Sequence, residues 1–254
     1  MSTIPLQKGI IYGPVASRRL GRSLGVNLLP ASCKHCSFDC GYCHYGRTQV
    51  KRLHTEENAF PSMEEVLNAV EVALQGKLEF DYLTFSGNGE PTLHPSFAEI
   101  VFEVRILRDR IRPEVKLAVL SNSSTVHLFI VREALALVDV PIMKLDAGDV
   151  HTLTAINRPA AGVSLEQIIT GLKELPELVV QSVLIDGKVS NIWGTPYEAW
   201  LSAMADLDPV RIQIYSIDRP VPEAEVEKVK PVMLQRVARE IEGLTGIQVQ
   251  AYWA

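Results

Sequence analysis

The stretch Cys33-Lys34-His35-Cys36-Ser37-Phe38-Asp39-Cys40-Gly41-Tyr42-Cys43-His44 holds every cysteine of the 254-residue chain. Cysteines crowded this way cannot staple distant parts of a fold, so they serve one local site of metal or redox chemistry. Cys36, Cys40 and Cys43 place three thiolates close enough to wrap three corners of one cubane cluster, leaving the fourth iron without a cysteine from this motif. An iron with open coordination can bind an amine and a carboxylate, whereas an electron-transferring cluster usually has four cysteine ligands. A second reading adds Cys33 as the fourth thiolate of a structural zinc site. The spacing argues against it, because zinc ribbons and fingers separate their cysteine pairs by about a dozen residues or more. Cys33 is then a spare thiol.

Outward from this loop the chain alternates short apolar, β-branched runs with amphipathic stretches. Strands are predicted at Ser23–Leu29, Asp81–Ser86, Val115–Ser121, Val140–Asp146, Leu178–Ile185, Val210–Ile217 and Ile247–Tyr252. Ser62 with Glu65, Ser96 with Glu99 and Ser164 with Gln167 make capping-box patterns at helix starts. In the first of these helices Met63, Val66, Leu67, Val70 and Leu74 share a face, and Gly76 is placed to end it in the left-handed conformation. Thr195-Pro196 opens a further helix, with proline at its first position. The class is α/β. Parallel strands joined by right-handed helical crossovers, six units in all, curl toward a barrel or part-barrel, whose reactive residues sit at the carboxyl ends of the strands. Those ends are polar: Ser86-Gly87-Asn88-Gly89-Glu90, Ser121-Asn122-Ser123, Lys144-Leu145-Asp146 and Tyr215-Ser216-Ile217-Asp218.

With 47% hydrophobic residues the chain can bury a large core, and one domain over 1–254 is expected, with the cluster loop at 33–44. The N-terminal residues have no signal-peptide pattern and no apolar run approaches a membrane span, so a cytoplasmic protein without membrane partners is expected. The net charge of −5 is unevenly spread. Between Met1 and Thr55, Lys8, Arg18, Arg19, Arg22, Lys34, Arg47, Lys51 and Arg52 face Asp39 alone, so a basic segment sits on an acidic body.

The C-x3-C-x2-C loop, with an aromatic before its last cysteine, resembles the cluster loop of the radical S-adenosylmethionine (SAM) superfamily. Further segments carry the likeness: Gly13-Pro-Val-Ala-Ser-Arg-Arg-Leu-Gly21, Ser86-Gly-Asn-Gly-Glu-Pro-Thr-Leu-His-Pro95, Val140-Pro-Ile-Met-Lys-Leu-Asp-Ala147, Ile156-Asn-Arg-Pro159 and Gln213-Ile-Tyr-Ser-Ile-Asp-Arg-Pro220. Together they are similar to the iron–sulfur oxidoreductases grouped with wyosine-type tRNA-modifying enzymes. The resemblance implies a partial (β/α)6 TIM-like barrel, and a [4Fe–4S] cluster on Cys36, Cys40 and Cys43. It also implies SAM bound at the open iron and cleaved reductively to methionine and a 5′-deoxyadenosyl radical.

On the same resemblance, Gly87-Asn88-Gly89-Glu90 stands where the family carries its Gly-Gly-Glu motif against the methionine ammonium, with Asn88 replacing the second glycine. Ser121, Asn122, Lys144 and Asp146 match strand-end positions that meet the ribose hydroxyls or the SAM carboxylate. Tyr42 matches the aromatic whose backbone lies along the adenine edge. Ser121 and Ser123 serve equally as turn residues, and His44 and His94 read as structural. Arg158 and Arg219 could meet anionic groups through their guanidinium forks or form surface ion pairs. The implied substrate is a tRNA base, a peptide or protein residue, or a small molecule. A flavodoxin- or ferredoxin-like electron donor would dock on the basic segment, to which tRNA phosphates would also bind. Two alternatives stand beside this reading: an activase that installs a glycyl radical on a partner, and a non-catalytic iron–sulfur electron carrier.

Overall fold

The computed structural model describes residues 3–53 and 60–253. Both ends of the basic N-terminal segment, at Met1, Ser2 and 54–55, lie outside the described residues. The chain opens with a hairpin of β1 (Ile11–Ser17) and β2 (Gly21–Val26), then short strands β3 (His35–Cys36) and β4 (Val50–Lys51) frame the cysteine loop. There follow α1 (Met63–Gln75), β5 (Tyr82–Phe85), α2 (Phe97–Ile111), β6 (Lys116–Ser121), α3 (Phe129–Leu135) and β7 (Val140–Lys144). Next come α4 (Val150–Asn157), α5 (Leu165–Lys173), β8 (Val179–Val183), β9 (Ile185–Gly187) and α6 (Gly194–Leu207). The chain ends with β10 (Arg211–Tyr215), β11 (Val226–Lys228), α7 (Pro231–Thr245) and β12 (Val249–Tyr252).

The main sheet runs β1-β2-β5-β6-β7-β8-β10-β12, parallel throughout except for β1, and curls into a half-barrel. Each predicted strand has its counterpart here, and the helical crossovers bring all the carboxyl ends to one rim. Both faces of the strands are covered. Leu117, Val119 and Met143 pack outward with Ile100, Val101 and Val104 of α2 in the main core. Inward, Ala118 and Ile142 pack with Leu20 of the β1–β2 turn. The antiparallel β1 was not predicted. Its Pro14 lacks a donor and sits in a register break between Tyr12 and Val15, a combination tolerated at a sheet edge and one that hides the period-2 pattern.

The local signals met mixed outcomes. Ser62 and Glu65 form both bonds of the capping box at α1, and the Ser164 side chain accepts the Gln167 N–H at α5. Ser96 forms no cap. Its own N–H donates to His94 Nδ1 at 3.1 Å, at the end of a 3-10 turn over Pro91–Leu93, which leaves its backbone out of the extended cap geometry. Gly76 ends α1 at φ −70° rather than in the left-handed region, because the chain leaves extended past the Val72 and Ala73 carbonyls. Pro196 falls at the third position of α6, after Gly194 and Thr195, since Trp193 is the capping residue.

Candidate active site at the barrel mouth

The cysteine loop is suspended between the turn after β5 and the end of α4. At one side His35 N–H donates to the Asn88 carbonyl at 3.0 Å and Glu90 N–H donates to the His35 carbonyl at 3.1 Å. At the other, Asp39 N–H donates to the Asn157 carbonyl at 2.9 Å and Gly41 N–H to the Ile156 carbonyl at 3.0 Å, so the loop also hangs on the end of α4. Gly89, at φ +151°, makes the first junction possible: a Cβ there would lie 1.5 Å from the His35 carbonyl oxygen.

Donors surround the cysteine sulfurs. Cys36 Sγ accepts from Phe38 N–H and from Asn122 Nδ2, each at 3.4 Å, and Cys40 Sγ accepts from Asn157 Nδ2 at 3.3 Å. Burial pushes the Cys36 thiol well up despite the Lys34 ammonium, and burial with Asp146 nearby pushes Cys40 up to about 11. Burial opposes the Lys34 ammonium too, but the Cys43, Cys36 and Cys40 sulfurs outweigh it and hold its pKa up. Lys34 is almost fully buried and donates to the Gly46 carbonyl at 2.7 Å. The Cys36 and Cys40 thiols hold their protons unless a metal displaces them, and the amides and Lys34 are placed to receive the charge that results. Among the described residues no three His, Cys, Asp or Glu side chains converge on a single metal ion. Cys33, whose Sγ lies 3.9 Å from His35 Nδ1, stands outside the donor set. The loop fits an iron–sulfur cluster, whose corners need thiolates spread more widely than the ligands of one ion.

Asp146, at the end of β7, joins the loop to the barrel. Its Oδ2 accepts from the Tyr42 hydroxyl and from Asn157 Nδ2 at 2.8 Å; its Oδ1 accepts from Val183 N–H at 2.8 Å and pairs with Lys144 Nζ at 3.2 Å. Burial, with Asp146 beside it, raises the Tyr42 hydroxyl far above its ordinary range. For Lys144, burial is outweighed by Asp146 and Tyr215, so it stays cationic. Lys144 Nζ lies 5.2 Å from the Tyr42 ring centre and 5.4 Å from that of Tyr215, with Asp146 as its polar partner, and Asn157 Oδ1 has no hydrogen-bond partner among the described residues. Beside the cysteine loop lie an ammonium held by Asp146 and an amide oxygen without a partner, both free to meet a polar ligand.

A cavity of about 410 Å³ opens here inside the half-barrel, lined by Tyr42, Cys43, Gly87, Gly89 and Lys144 among others. A family model described as the radical SAM superfamily matches residues 32–212. The chain belongs to this superfamily. A UPF0026 protein of Synechocystis is 31% identical over 94% of this chain and 95% of its own length. A UPF0026 protein of Methanocaldococcus jannaschii is 40% identical over 64% of this chain and 48% of its own. Among solved structures, a radical SAM methyltransferase from Sphaerobacter thermophilus superposes with a TM-score of 0.66 at 16% identity, covering 91% of this chain and 66% of that one. TYW1 with a bound lysine-pyruvate adduct superposes with a TM-score of 0.59 at 16% identity, covering 89% and 75%. Radical SAM enzymes use a [4Fe–4S] cluster and SAM.

Of the residues assigned to SAM by resemblance, Tyr42, Gly87, Gly89 and Lys144 line the cavity. Asn88, Glu90, Ser121, Asn122 and Asp146 are buried behind it. Asn88 takes the place of a glycine without strain, and its side chain ties down the N-terminal segment: Oδ1 accepts from Gln7 N–H at 2.7 Å, and Nδ2 donates to the Gln7 and Pro30 carbonyls. Ser121 Oγ accepts the Ser123 N–H at 3.0 Å, the turn role. Asn122 faces Cys36. Arg158 pairs with Glu223 at 2.8 Å, the ion-pair alternative, while Arg219 reaches the cavity rim. His94 is structural, with Nε2 2.9 Å from the Pro61 carbonyl oxygen. His44 lines the cavity 3.5 Å from Asp218, its pKa lowered chiefly by burial. Asn157 is the residue sequence reasoning missed: its motif was read for the charge of Arg158.

Glu90 carries a carboxylate occupied by the protein itself. Oε2 accepts Asn122 N–H at 2.6 Å, and Oε1 accepts Thr92 N–H at 3.1 Å and the Thr92 hydroxyl at 2.7 Å; burial still raises its pKa. Glu90→Ala is therefore expected to destabilise the fold by about 2–5 kcal/mol, by orphaning two buried N–H groups. Glu90→Gln, which keeps one acceptor, should cost about half as much in urea unfolding. Equal stability of all three proteins would show that the bonds from Asn122 and Thr92 contribute nothing.

Proposed function

We propose that this chain is a SAM-dependent radical enzyme whose Cys36, Cys40 and Cys43 hold a [4Fe–4S] cluster. The observation carrying this reading is the suspension of those cysteines, amid sulfur-directed amide donors, beside a cavity that Cys43 lines. The chemistry supplied by the bound cofactors is reductive cleavage of SAM to methionine and a 5′-deoxyadenosyl radical, which abstracts hydrogen from a substrate in the cavity. The protein's part is orientation. The Gly87–Gly89 backbone, held by Asn88 and Glu90, presents carbonyls to the methionine ammonium, and Lys144, aimed by Asp146, meets its carboxylate. Tyr42 is locked by the same Asp146 so that its backbone borders the adenine. Asn122 and Asn157 donate to the ligating sulfurs and tune their charge. An electron carrier alone would need no such cavity.

Radical SAM enzymes need a reductant. Lys51 and Arg52, beside the loop on β4 and just after it, have no acidic partner among the described residues and suit an acidic flavodoxin- or ferredoxin-like donor. Among the described residues no helix is long and apolar enough to cross a membrane. Lys144→Met should leave iron content unchanged and weaken SAM binding about ten- to a hundredfold, the loss of one charge-assisted bond. Calorimetric titration of the reconstituted protein checks this, and unchanged affinity would remove Lys144 from the site.

A further inference from the structure

We propose that the cavity also seats a small substrate through a carboxylate or phosphate held by Arg19, an inference that rests on the SAM-site reading above. Arg19 belongs to the β1–β2 turn, whose residues line the cavity. Three contacts fix it there: Ser17 Oγ accepts the N–H groups of Arg19 and Leu20 at 3.2 and 3.1 Å, Leu20 is buried against Ala118 and Ile142, and Arg18 clasps Asp218 on the segment after β10. The guanidinium of Arg19 lies 4.4 Å from the centre of the Tyr215 ring, and Lys144 Nζ lies 5.4 Å from the same ring. Cations and aromatic rings thus alternate along the cavity wall from the turn to Tyr42 of the cluster loop.

The charges around the cavity are compensated at every cation but two. Arg18 and His44 share Asp218, and Lys144 has Asp146. Outside it, Arg22 has Glu79 and Asp81, and Arg47 has Asp39 and Glu223. Arg19 and Arg219 have no acidic partner among the described residues, and of these Arg19 is the half-buried one while Arg219 is exposed at the rim. A half-buried guanidinium without a counter-charge is costly, and its planar fork matches a carboxylate or phosphate in two parallel bonds. Size points the same way. A cavity of about 410 Å³ with the Arg18–Asp218 pair in its wall is of the kind that takes small molecules, not a folded RNA.

The test uses the full chain reconstituted with its cluster and loaded with SAM, dialysed to equilibrium against millimolar malonate, inorganic phosphate, malonamide and putrescine in turn, and separately mixed with a tRNA stem-loop. Malonate or phosphate should be retained and the neutral and cationic probes should not, and which anion is preferred separates a carboxylate from a phosphate substrate. Arg19→Gln should weaken that retention at least tenfold and Arg19→Lys by less, with SAM affinity and thermal midpoint unchanged in both. Retention that ignores Arg19→Gln, preference for malonamide or putrescine, retention of no probe, or retention of a tRNA stem-loop alone would each overturn the assignment. Wild-type protein that fails to bind SAM would instead sink the cofactor reading, so the two failures are distinguishable.

Discussion

Alanine at Cys36, Cys40 or Cys43 is expected to abolish both iron binding and SAM cleavage, whereas Cys33→Ala should keep about four iron and four sulfide per chain. A cubane bound by three thiolates cannot lose one and remain anchored. The surroundings sharpen the expectation, because removing Cys36 also takes the sulfur acceptor from Phe38 N–H and one of the acceptors of Asn122 Nδ2, and removing Cys40 takes one of the acceptors of Asn157 Nδ2. Cys33 Sγ has long contacts of 3.9 Å with Ser32 Oγ and His35 Nδ1. Iron and sulfide analysis with the yield of 5′-deoxyadenosine under dithionite reads all four variants. Cluster loss in Cys33→Ala, or stoichiometric zinc in anaerobic wild-type protein, would replace the assignment with a four-thiolate site.

What was legible in the sequence was periodic or local. Runs such as Leu117–Val119 and Ile212–Ile214 are buried on both faces and read as strands without any tertiary knowledge, and Ser62 with Glu65 formed the box their spacing announced. The cysteine spacing located the loop for the same reason. Features fixed by distant partners were not legible. Ser96 lost its capping role to His94, and β1 is interrupted by a bulge at Pro14. Asn157 acts on Cys40, 117 positions away, only because α4 ends beside the loop. Glu90 reads as a ligand for an ammonium, yet its oxygens are claimed by Asn122, which also donates to Cys36. The basic segment divides in the same manner: Arg18 and Arg22 are neutralised by the acidic body, whereas Arg19 is not.

Gly89→Ala should be as damaging to the cluster as loss of a cysteine, though it removes no ligand. The residue sits at φ +151°, which L side chains rarely adopt, and its Cβ would fall 1.5 Å from a backbone carbonyl oxygen that no rotamer change can move. Relief requires the glycine turn and β3 to separate. That breaks the bonds from Glu90 N–H to the His35 carbonyl and from His35 N–H to the Asn88 carbonyl, and Cys36, the next residue along, is carried away from Cys40 and Cys43. Strain and two lost bonds together should cost about 3 kcal/mol or more in urea unfolding, and iron content after reconstitution should fall to about a tenth of wild type or less. Gly76→Ala is the matched control: its φ of −70° suits any residue, and its Cβ would meet the Val72 carbonyl at 3.3 Å, so it should change stability by no more than about 1 kcal/mol and leave iron content intact. A Gly89→Ala protein with a full cluster and wild-type stability would mean that Cys36 is positioned by the Asn122 and α4 contacts alone, and that the glycine turn does not hold the loop.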